Sequence, residues 1–192
     1  FKAHLLIVDS ASDDSTMEKA KSWLEDFPDA FESWKIIPMS ERKGKTTAVG
    51  LAIDELDDYE GIIVMTDADA KAMPGALTRI NQWFSDPQIG AVGGTPIRLG
   101  ALNTEKEHRE LYTQLRCGES AYDSTPFLEG AWRGGFISSS DLYYFANADD
   151  AQIATAVRLN GLRSIQDPEL TFTDQMPLTL KGQRRQKVRR AQ

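Results

Sequence analysis

Two aspartates spaced two residues apart, Asp67 and Asp69, are the side chains of this sequence best suited to metal chemistry. They follow an apolar run, residues 61–65, whose length and branched side chains are typical of a strand buried on both faces. In an extended segment, residues two apart point to the same side, and ligands of parallel sheets bind beyond the carboxyl ends of the strands. Carboxylate oxygens in this arrangement suit Mg²⁺ or Mn²⁺. An ordinary acidic surface loop is the alternative, because Asp-x-Asp is a common sequence.

Three other charged groups lie at the ends of predicted elements, and each has an ordinary and a functional interpretation. Asp9 and Asp13 follow the first apolar run, where they can cap the next helix or contact a nucleotide. Residues 42–45 place three cations around a glycine ahead of a helix, which favours phosphate, although a solvated turn has the same composition. Asp149 and Asp150 begin a predicted helix as caps, and a carboxylate separate from the metal pair could also act as a general base.

The elements that must position these side chains alternate between strand-like and helix-like segments. Short apolar runs predict strands at residues 4–8, 34–38, 61–65 and 89–94. Helical spacing predicts helices at residues 15–23, 46–56, 74–84, 104–120 and 149–160, the last closed by Gly161, and residues 130–135 are rich in glycine. This order predicts an α/β fold in which a mostly parallel sheet is flanked by helices, within one domain of 192 residues.

Charge and composition limit the classes of partner. Six of the 22 Lys and Arg residues lie in residues 181–192, so the net charge of -7 hides 16 basic against 29 acidic residues elsewhere, a balance of -13. An acidic body argues against nucleic acid, and the single cysteine, Cys117, predicts a reducing, cytoplasmic compartment. No run reaches the roughly 18 apolar residues that span a bilayer, so membrane contact would be peripheral, through the basic segment at the cytoplasmic face. Because Phe1 opens directly on a strand-like run, we expect a further segment upstream.

Together these motifs resemble family 2 glycosyltransferases, whose nucleotide-sugar-binding fold is called GT-A. Six segments are similar to that family's motifs, in the same order, over nearly all of the chain. They are residues 8–16 for its acidic VDDGSTDGT loop, 43–48 for GKG..A, 67–69 for the metal-binding DAD, 119–130 for the stretch before the acceptor site, 149–163 for ED..L…R…G.R and 186–190 for QxxRW. The resemblance implies a GT-A-type, Rossmann-like nucleotide-binding architecture, with residues 1–100 as the donor half and 101–192 as the acceptor half. The family's opening strand is not visible before Phe1.

The resemblance also implies a reaction and a set of site residues. The family transfers a sugar, with inversion, from a nucleotide-diphosphate donor, here expected to be a UDP-sugar, to a hydroxyl of a saccharide or lipid-linked acceptor. Asp150 is implied as the general base, and Asp67 and Asp69 as ligands of Mn²⁺ or Mg²⁺. The other implied contacts are donor binding by Asp9, Asp13, Lys45, Asp67, Gln186 and Arg189, the last two as a lid, and acceptor binding by Asp149 and Trp132.

The sequence departs from the family pattern in four of these motifs. In the GKG..A segment, Thr46 replaces the second glycine and Gly50 the asparagine usual in the following helix. Ser10 replaces the second acid of the first loop, and Asp149 replaces the usual Glu. Arg190 stands where the family often has a Trp associated with a growing polysaccharide, which disfavours a processive synthase. Two alternatives stay open. A sugar-1-phosphate nucleotidyltransferase would need a glycine-rich basic signature near its start, which is not seen after Phe1, and a non-catalytic GT-A-like binding protein would not need Asp150.

Overall fold

The structure is a computed structural model that describes residues 2–56, 59, 61–100, 103–128, 132–136, 149–175, 177, 179–182, 184 and 188. These residues form two compact units, the first up to residue 59 and the second from residue 61 onward. None of the helices in this described part of the chain is long and apolar enough to cross a membrane. Among the predicted site residues, Gln186 and Arg189 lie outside the described residues, and so do the side chains of Trp132, Asp149 and Asp150.

The first unit is a parallel pair of strands in which each strand is followed by a helix. Its elements are β1 (His4–Asp9), α1 (Thr16–Asp26), β2 (Ser33–Pro38) and α2 (Lys45–Asp54). Ile7 of β1 lies opposite Ile36 of β2, and Met39 N donates to Asp9 O at 2.8 Å, one step beyond the ladder. Because the strands run in the same direction, the loops that follow them leave from the same end of the pair, the carboxyl ends of the strands. All four elements confirm the strand and helix predictions for this part of the chain.

The second unit contains a five-stranded sheet with helices. Its elements are β3 (Ile62–Thr66), β4 (Lys71–Ala72), α3 (Ala76–Trp83), β5 (Ile89–Leu99), α4 (Asn103–Tyr122), β6 (Trp132–Phe136), α5 (Asp149–Leu159) and β7 (Arg163–Gln175). The strand order is β3-β6-β5-β7-β4. Strands β5 and β7 are parallel, whereas the other three neighbouring pairs are antiparallel. The predicted α/β fold with flanking helices is therefore confirmed, but a parallel sheet is found only in part, in the β1–β2 and β5–β7 pairs of the described strands.

The core of the second unit lies between α3 and the sheet. Ala76 and Ile80 of α3 cluster with buried side chains of β5 and β7, among them Val92 and Ile165. Burying such side chains stabilises the fold by about 1.5–3 kcal/mol each. Helix α5 lies directly on β5, since a Cβ built on Gly90 would come within 2.7 Å of a side-chain carbon of Val157. The glycine therefore sets how closely this helix approaches the sheet.

Strands β6 and β7 were not predicted from the sequence. β6 contains the described part of the glycine-rich segment, and its Gly134 and Gly135 pair with both β3 and β5. Glycine has low strand propensity, so the neighbouring strands, not the local sequence, decide this element. In β7 the pairing with β5 jumps from Asp167 to Thr171, around Pro168. Proline has no N–H for the ladder, and the resulting bulge interrupts the alternation by which a strand is recognised in sequence.

Candidate active site

The two aspartates of the Asp-x-Asp motif lie in a tight turn between β3 and β4. Ala70 N donates to Asp67 O at 3.1 Å and closes the turn, and the Thr66 hydroxyl donates to the same carbonyl oxygen at 3.1 Å. Asp69 is exposed, and Asp67 is partly buried. The prediction that this pair follows a strand end is confirmed, because Thr66 is the last residue of β3.

This turn is held on both sides by different strands. Before it, β3 pairs with β6, and Thr66 lies opposite Trp132 in the register. After it, Lys71 of β4 lies opposite Thr173 of β7, and Met73 N donates to Thr171 O at 3.0 Å. The structure thus brings the backbone of Trp132, an expected acceptor residue, beside the strand residue that precedes Asp67. Backbone pairing on both flanks limits how far the two carboxylates can move apart.

The donor set of the turn fits a hard divalent cation that completes its coordination elsewhere. Two carboxylates separated by one residue lie in this turn, and within the described residues no group of three or more His, Cys, Asp or Glu side chains is gathered in a metal-binding cluster. Mg²⁺ and similar ions commonly use one or two carboxylates together with water and substrate phosphates. The turn therefore fits an ion bound jointly with a phosphate-bearing ligand.

The loop after β1 is organised around Asp9. This residue is the last of β1 and is 8% exposed. Its carboxylate accepts a hydrogen bond from Ser12 N at 3.1 Å and another from the Ser12 hydroxyl. Between them, Ala11 has a φ of 53°, in the left-handed region that residues other than glycine rarely adopt. Asp9 therefore acts as the local organiser of a bent loop, in addition to any contact that it makes with a ligand.

The second predicted acid of this loop, Asp13, is paired with a cation from the loop after β2. Arg42 Nη2 lies 2.7 Å from Asp13 Oδ1, and Arg42 Nε donates to Ala11 O at 3.2 Å. Both side chains of the pair are mostly exposed. The sequence indicated Arg42 only as one of several cations near a glycine, so its partner was missed. The predicted parallel arrangement of β1 and β2 places the loops that follow them at the same end of the pair, and this could have indicated the contact between Arg42 and Asp13.

Lys45, the predicted phosphate contact, is the first residue of α2. Gly44 precedes it with a φ of 88°, a value that favours glycine, and the Thr47 hydroxyl donates to Lys43 O at 3.1 Å. The first residues of a helix present backbone N–H groups and a partial positive charge. The helix start that the sequence predicted near Lys45 is confirmed, and phosphate binding by Lys45 stays a prediction.

One acid of the first loop does serve as a helix cap. Asp14 Oδ1 accepts a hydrogen bond from Thr16 N at 2.9 Å at the start of α1. Hydrogen bonding from Thr16, through its side chain and its backbone, holds the pKa of Asp14 below the ordinary value. The hydrogen bond to the helix start, which the sequence analysis offered for Asp9 and Asp13, is thus made by Asp14.

Asp149 and Asp150 are the first two residues of α5, as predicted. The other end of this helix is fixed by a residue that the sequence did not single out, Asp123. Arg158 Nη2 lies 2.7 Å from Asp123 Oδ2, and Arg163 Nε donates to Asp123 O at 2.9 Å. Both arginines belong to the motif that the sequence analysis identified. Their common partner follows α4, so it could not be recognised from the motif itself.

A strand–helix unit with an acidic loop, and a two-carboxylate turn at the end of a strand in a mixed sheet, fit a fold of the GT-A type, which solved glycosyltransferase structures share. The chain belongs to glycosyl transferase family 2, whose sequence profile matches residues 2–144. Both the family and the fold type that the sequence predicted are thereby confirmed. Among curated proteins, no sequence matches this chain.

Solved structures of similar fold include three glycosyltransferases. Mannosyltransferase PcManGT from Pyrobaculum calidifontis, in complex with GDP-Man and Mn²⁺, is 29% identical with a TM-score of 0.79, over 97% of this chain and 51% of that one. GalNAc-T7 with UDP, GalNAc and Mn²⁺ is 11% identical with a TM-score of 0.62, over 92% of this chain and 38% of that one. Glucosyl-3-phosphoglycerate synthase from Mycobacterium tuberculosis, with Mn²⁺ and UDP-Glc, is 13% identical with a TM-score of 0.54, over 99% of this chain and 78% of that one. The last two show the fold alone. This chain spans about half the length of the mannosyltransferase.

Proposed function

We propose that this chain is the catalytic core of an inverting, metal-dependent glycosyltransferase that uses a nucleotide-diphosphate-sugar donor. Membership of glycosyl transferase family 2 supports the class of reaction. The observation that carries the rest is the turn from Asp67 to Ala70, which is held between two paired strands and presents two carboxylates. In this proposal residues 1–192 form one catalytic domain, with a donor half at 1–100 and an acceptor half at 101–192.

Asp67 and Asp69 are proposed to hold Mn²⁺ or Mg²⁺. Two carboxylates leave coordination positions for water and phosphate oxygens, which is the usual way in which such ions are bound in phosphate chemistry. When bound, the ion neutralises charge that develops on the diphosphate leaving group. The mannosyltransferase at 29% identity was solved with GDP-Man and Mn²⁺, which supports a divalent cation as the cofactor.

The donor is proposed to be bound by groups of the first unit. Asp9 is suited to the nucleoside, because its carboxylate keeps acceptor capacity beyond the two hydrogen bonds from Ser12. Lys45 is suited to phosphate through its charge and its place at the start of α2. UDP is the nucleotide expected from the sequence. GDP is the alternative to test, since the mannosyltransferase structure contains GDP-Man.

Asp150 is proposed as the general base. It accepts the proton of the acceptor hydroxyl while that oxygen bonds to the anomeric carbon, and the bond from that carbon to the diphosphate oxygen breaks with inversion. Asp150 lies in the first turn of α5. Asp149 and Trp132 are proposed to bind the acceptor, a saccharide or a lipid-linked sugar. Gln186 and Arg189, in the basic segment, are proposed to close over the diphosphate or to contact anionic lipid.

Calorimetric titration of UDP and of GDP, with and without Mn²⁺, tests the donor site. We expect one nucleotide to bind only with the metal. Loss of a residue that only hydrogen-bonds a metal ligand weakens metal binding by roughly 10- to 100-fold. Asp69→Asn removes a proposed ligand itself, so it should weaken nucleotide binding by more than that. Asp26→Asn, at the exposed end of α1, removes the same charge and should leave binding unchanged. Binding of neither nucleotide under any metal condition would contradict the proposal.

A second measurement separates an enzyme from a binding protein that only keeps the fold. Asp150→Asn should bind nucleotide and metal as the wild type does, because the residue is proposed to act only on the acceptor. With a panel of nucleotide sugars, its transfer or donor hydrolysis rate should fall by the roughly 10²- to 10⁴-fold typical of losing a general base. Equal rates for the two proteins would remove Asp150 from the mechanism.

A further inference from the structure

A single guanidinium joins the two loops that follow β1 and β2. Arg42, from the loop after β2, contacts the loop after β1 twice, at Ala11 O with 3.2 Å and at Asp13 Oδ1 with 2.7 Å. The two loops begin side by side, because Asp9 lies opposite Pro38 at the end of the parallel ladder. Arg42 thus holds the backbone of the acidic loop and one of its side chains at the same time.

The loop that Arg42 holds has a conformation that requires support. Ala11 has a φ of 53°, which an L-residue other than glycine, Asn or Asp rarely adopts. After Ala11, the backbone N–H and the hydroxyl of Ser12 both donate hydrogen bonds to the carboxylate of Asp9. The carbonyl of Ala11 itself accepts from Arg42 Nε. A strained backbone conformation of this kind persists only where several surrounding contacts hold it, and such conformations are frequent in ligand-binding loops.

We infer that Arg42 is a positioning residue for the donor loop, and that Asp13 is its anchor instead of a contact for the nucleoside. This inference rests on the proposed function, since it assigns roles within the same donor site. It revises the expected role of Asp13: its carboxylate is engaged by the guanidinium, whereas the carboxylate of Asp9 is held by its own loop. Exposed ion pairs add little to global stability. The effect of losing this pair should therefore appear in the loop and in donor affinity more than in unfolding.

Hydrogen exchange tests the positioning role without any ligand. In Arg42→Gln, the amides of residues 11–14 should exchange about fivefold faster than in the wild type, which corresponds to roughly 1 kcal/mol for hydrogen bonds of ordinary net strength. Amides in β1 should be unchanged. Exchange of the loop at the wild-type rate would overturn the inference, whatever the protein binds.

Titration with UDP and GDP in the presence of Mn²⁺ tests the consequence for the donor. Arg42→Gln should weaken binding about five- to tenfold, and Asp13→Asn should weaken it as well but by no more than that, because Arg42 keeps its contact with Ala11 O. The double variant should be no weaker than Arg42→Gln, since loss of the guanidinium already removes the contact with Asp13. Asp29→Asn is the matched control. It removes an aspartate that is also mostly exposed and whose ion-pair partner, Lys2 at 3.3 Å, precedes β1, and it should bind as the wild type does.

The outcomes separate this inference from the proposed function. Weaker binding in Arg42→Gln together with unchanged or tighter binding in Asp13→Asn would mean that Arg42 contacts the diphosphate directly, and the positioning role would be wrong. Wild-type protein that binds neither nucleotide would contradict the proposed function, while the exchange measurement would still decide whether Arg42 orders the loop.

Discussion

Replacement of Asp167 by Asn should destabilise the second unit more than any exposed ion pair can. Asp167 is fully buried in β7, where its carboxylate accepts hydrogen bonds from Arg79 Nη2 at 2.9 Å, Trp83 Nε1 at 2.7 Å and Glu169 N at 2.9 Å. Arg79 Nε donates as well. The amide of Asn would keep the shape but would direct an NH₂ group at some of these donors and would remove the charge that balances Arg79.

The size of the effect follows from how much of the pair is buried. Removal of one partner of a buried ion pair costs about 3–5 kcal/mol. Arg79, however, is 32% exposed and keeps an ion pair with Glu169 at 2.8 Å, so part of its charge remains compensated. We therefore expect a loss of about 2–4 kcal/mol. With a denaturant slope of about 2 kcal/mol per molar urea, a loss of 3 kcal/mol lowers the midpoint by roughly 1.5 M.

Urea unfolding followed by circular dichroism measures this loss, with Glu169→Gln as the matched control. Glu169 contacts the same arginine but is 73% exposed, so its replacement should cost less than about 1 kcal/mol. A loss in Asp167→Asn no larger than the loss in Glu169→Gln would refute the reasoning. It would mean that burial of the Asp167 carboxylate carries no special stabilisation.

The pH dependence gives a second check with a defined sign. Burial by itself would raise the pKa of Asp167, but the hydrogen bonds from Arg79, Trp83 and Glu169 N outweigh it and hold the pKa below the ordinary value of 3.8. A carboxyl whose pKa is lower in the folded protein stabilises it above the unfolded value, and this stabilisation is lost as the pH falls through the folded value. The difference in stability between the wild type and Asp167→Asn should therefore be largest near neutral pH and shrink below about pH 4. A constant difference would contradict this assignment.

Three further stability predictions can be checked by the same urea titration. Gly90→Ala should lose about 1–3 kcal/mol by overpacking, because its Cβ would lie 2.7 Å from Val157 Cγ1. Gly50→Ala lies inside α2, with no described atom within 4 Å of the added Cβ, and should instead raise the free energy of unfolding by about 0.5–1 kcal/mol. A change of the same sign in both variants would contradict these predictions. Asp123→Ala removes the ion pair with Arg158 at 2.7 Å and should cost about 1 kcal/mol. Its transfer rate should also fall if α5 is positioned through this contact, and an unchanged rate would show that α5 needs no such anchor.

The local sequence determined the elements that precede the proposed ligands. The apolar run of β3 ends where the Asp67 turn begins, because a buried strand needs continuous apolar residues and a turn needs polar ones. The helix that begins at Lys45 and the helix that begins at Asp149 follow from apolar spacing and end signals. The order of these motifs was sufficient to predict the family.

Only the tertiary structure decided which distant groups meet. Arg79 and Asp167 are 88 residues apart in the chain, and Arg42 and Asp13 are 29 apart, so no local periodicity reports on either pair. Strand β6 is formed by glycines that neighbouring strands hold in place, and β7 bulges at Pro168, so neither has a strong strand pattern of its own. The local pattern of apolar residues indicates which face of a helix or strand is buried. Register, chain direction and side-chain partners depend on long-range pairing. That pairing made the sheet mixed where the sequence predicted a mostly parallel one, and it joined Asp13 to Arg42.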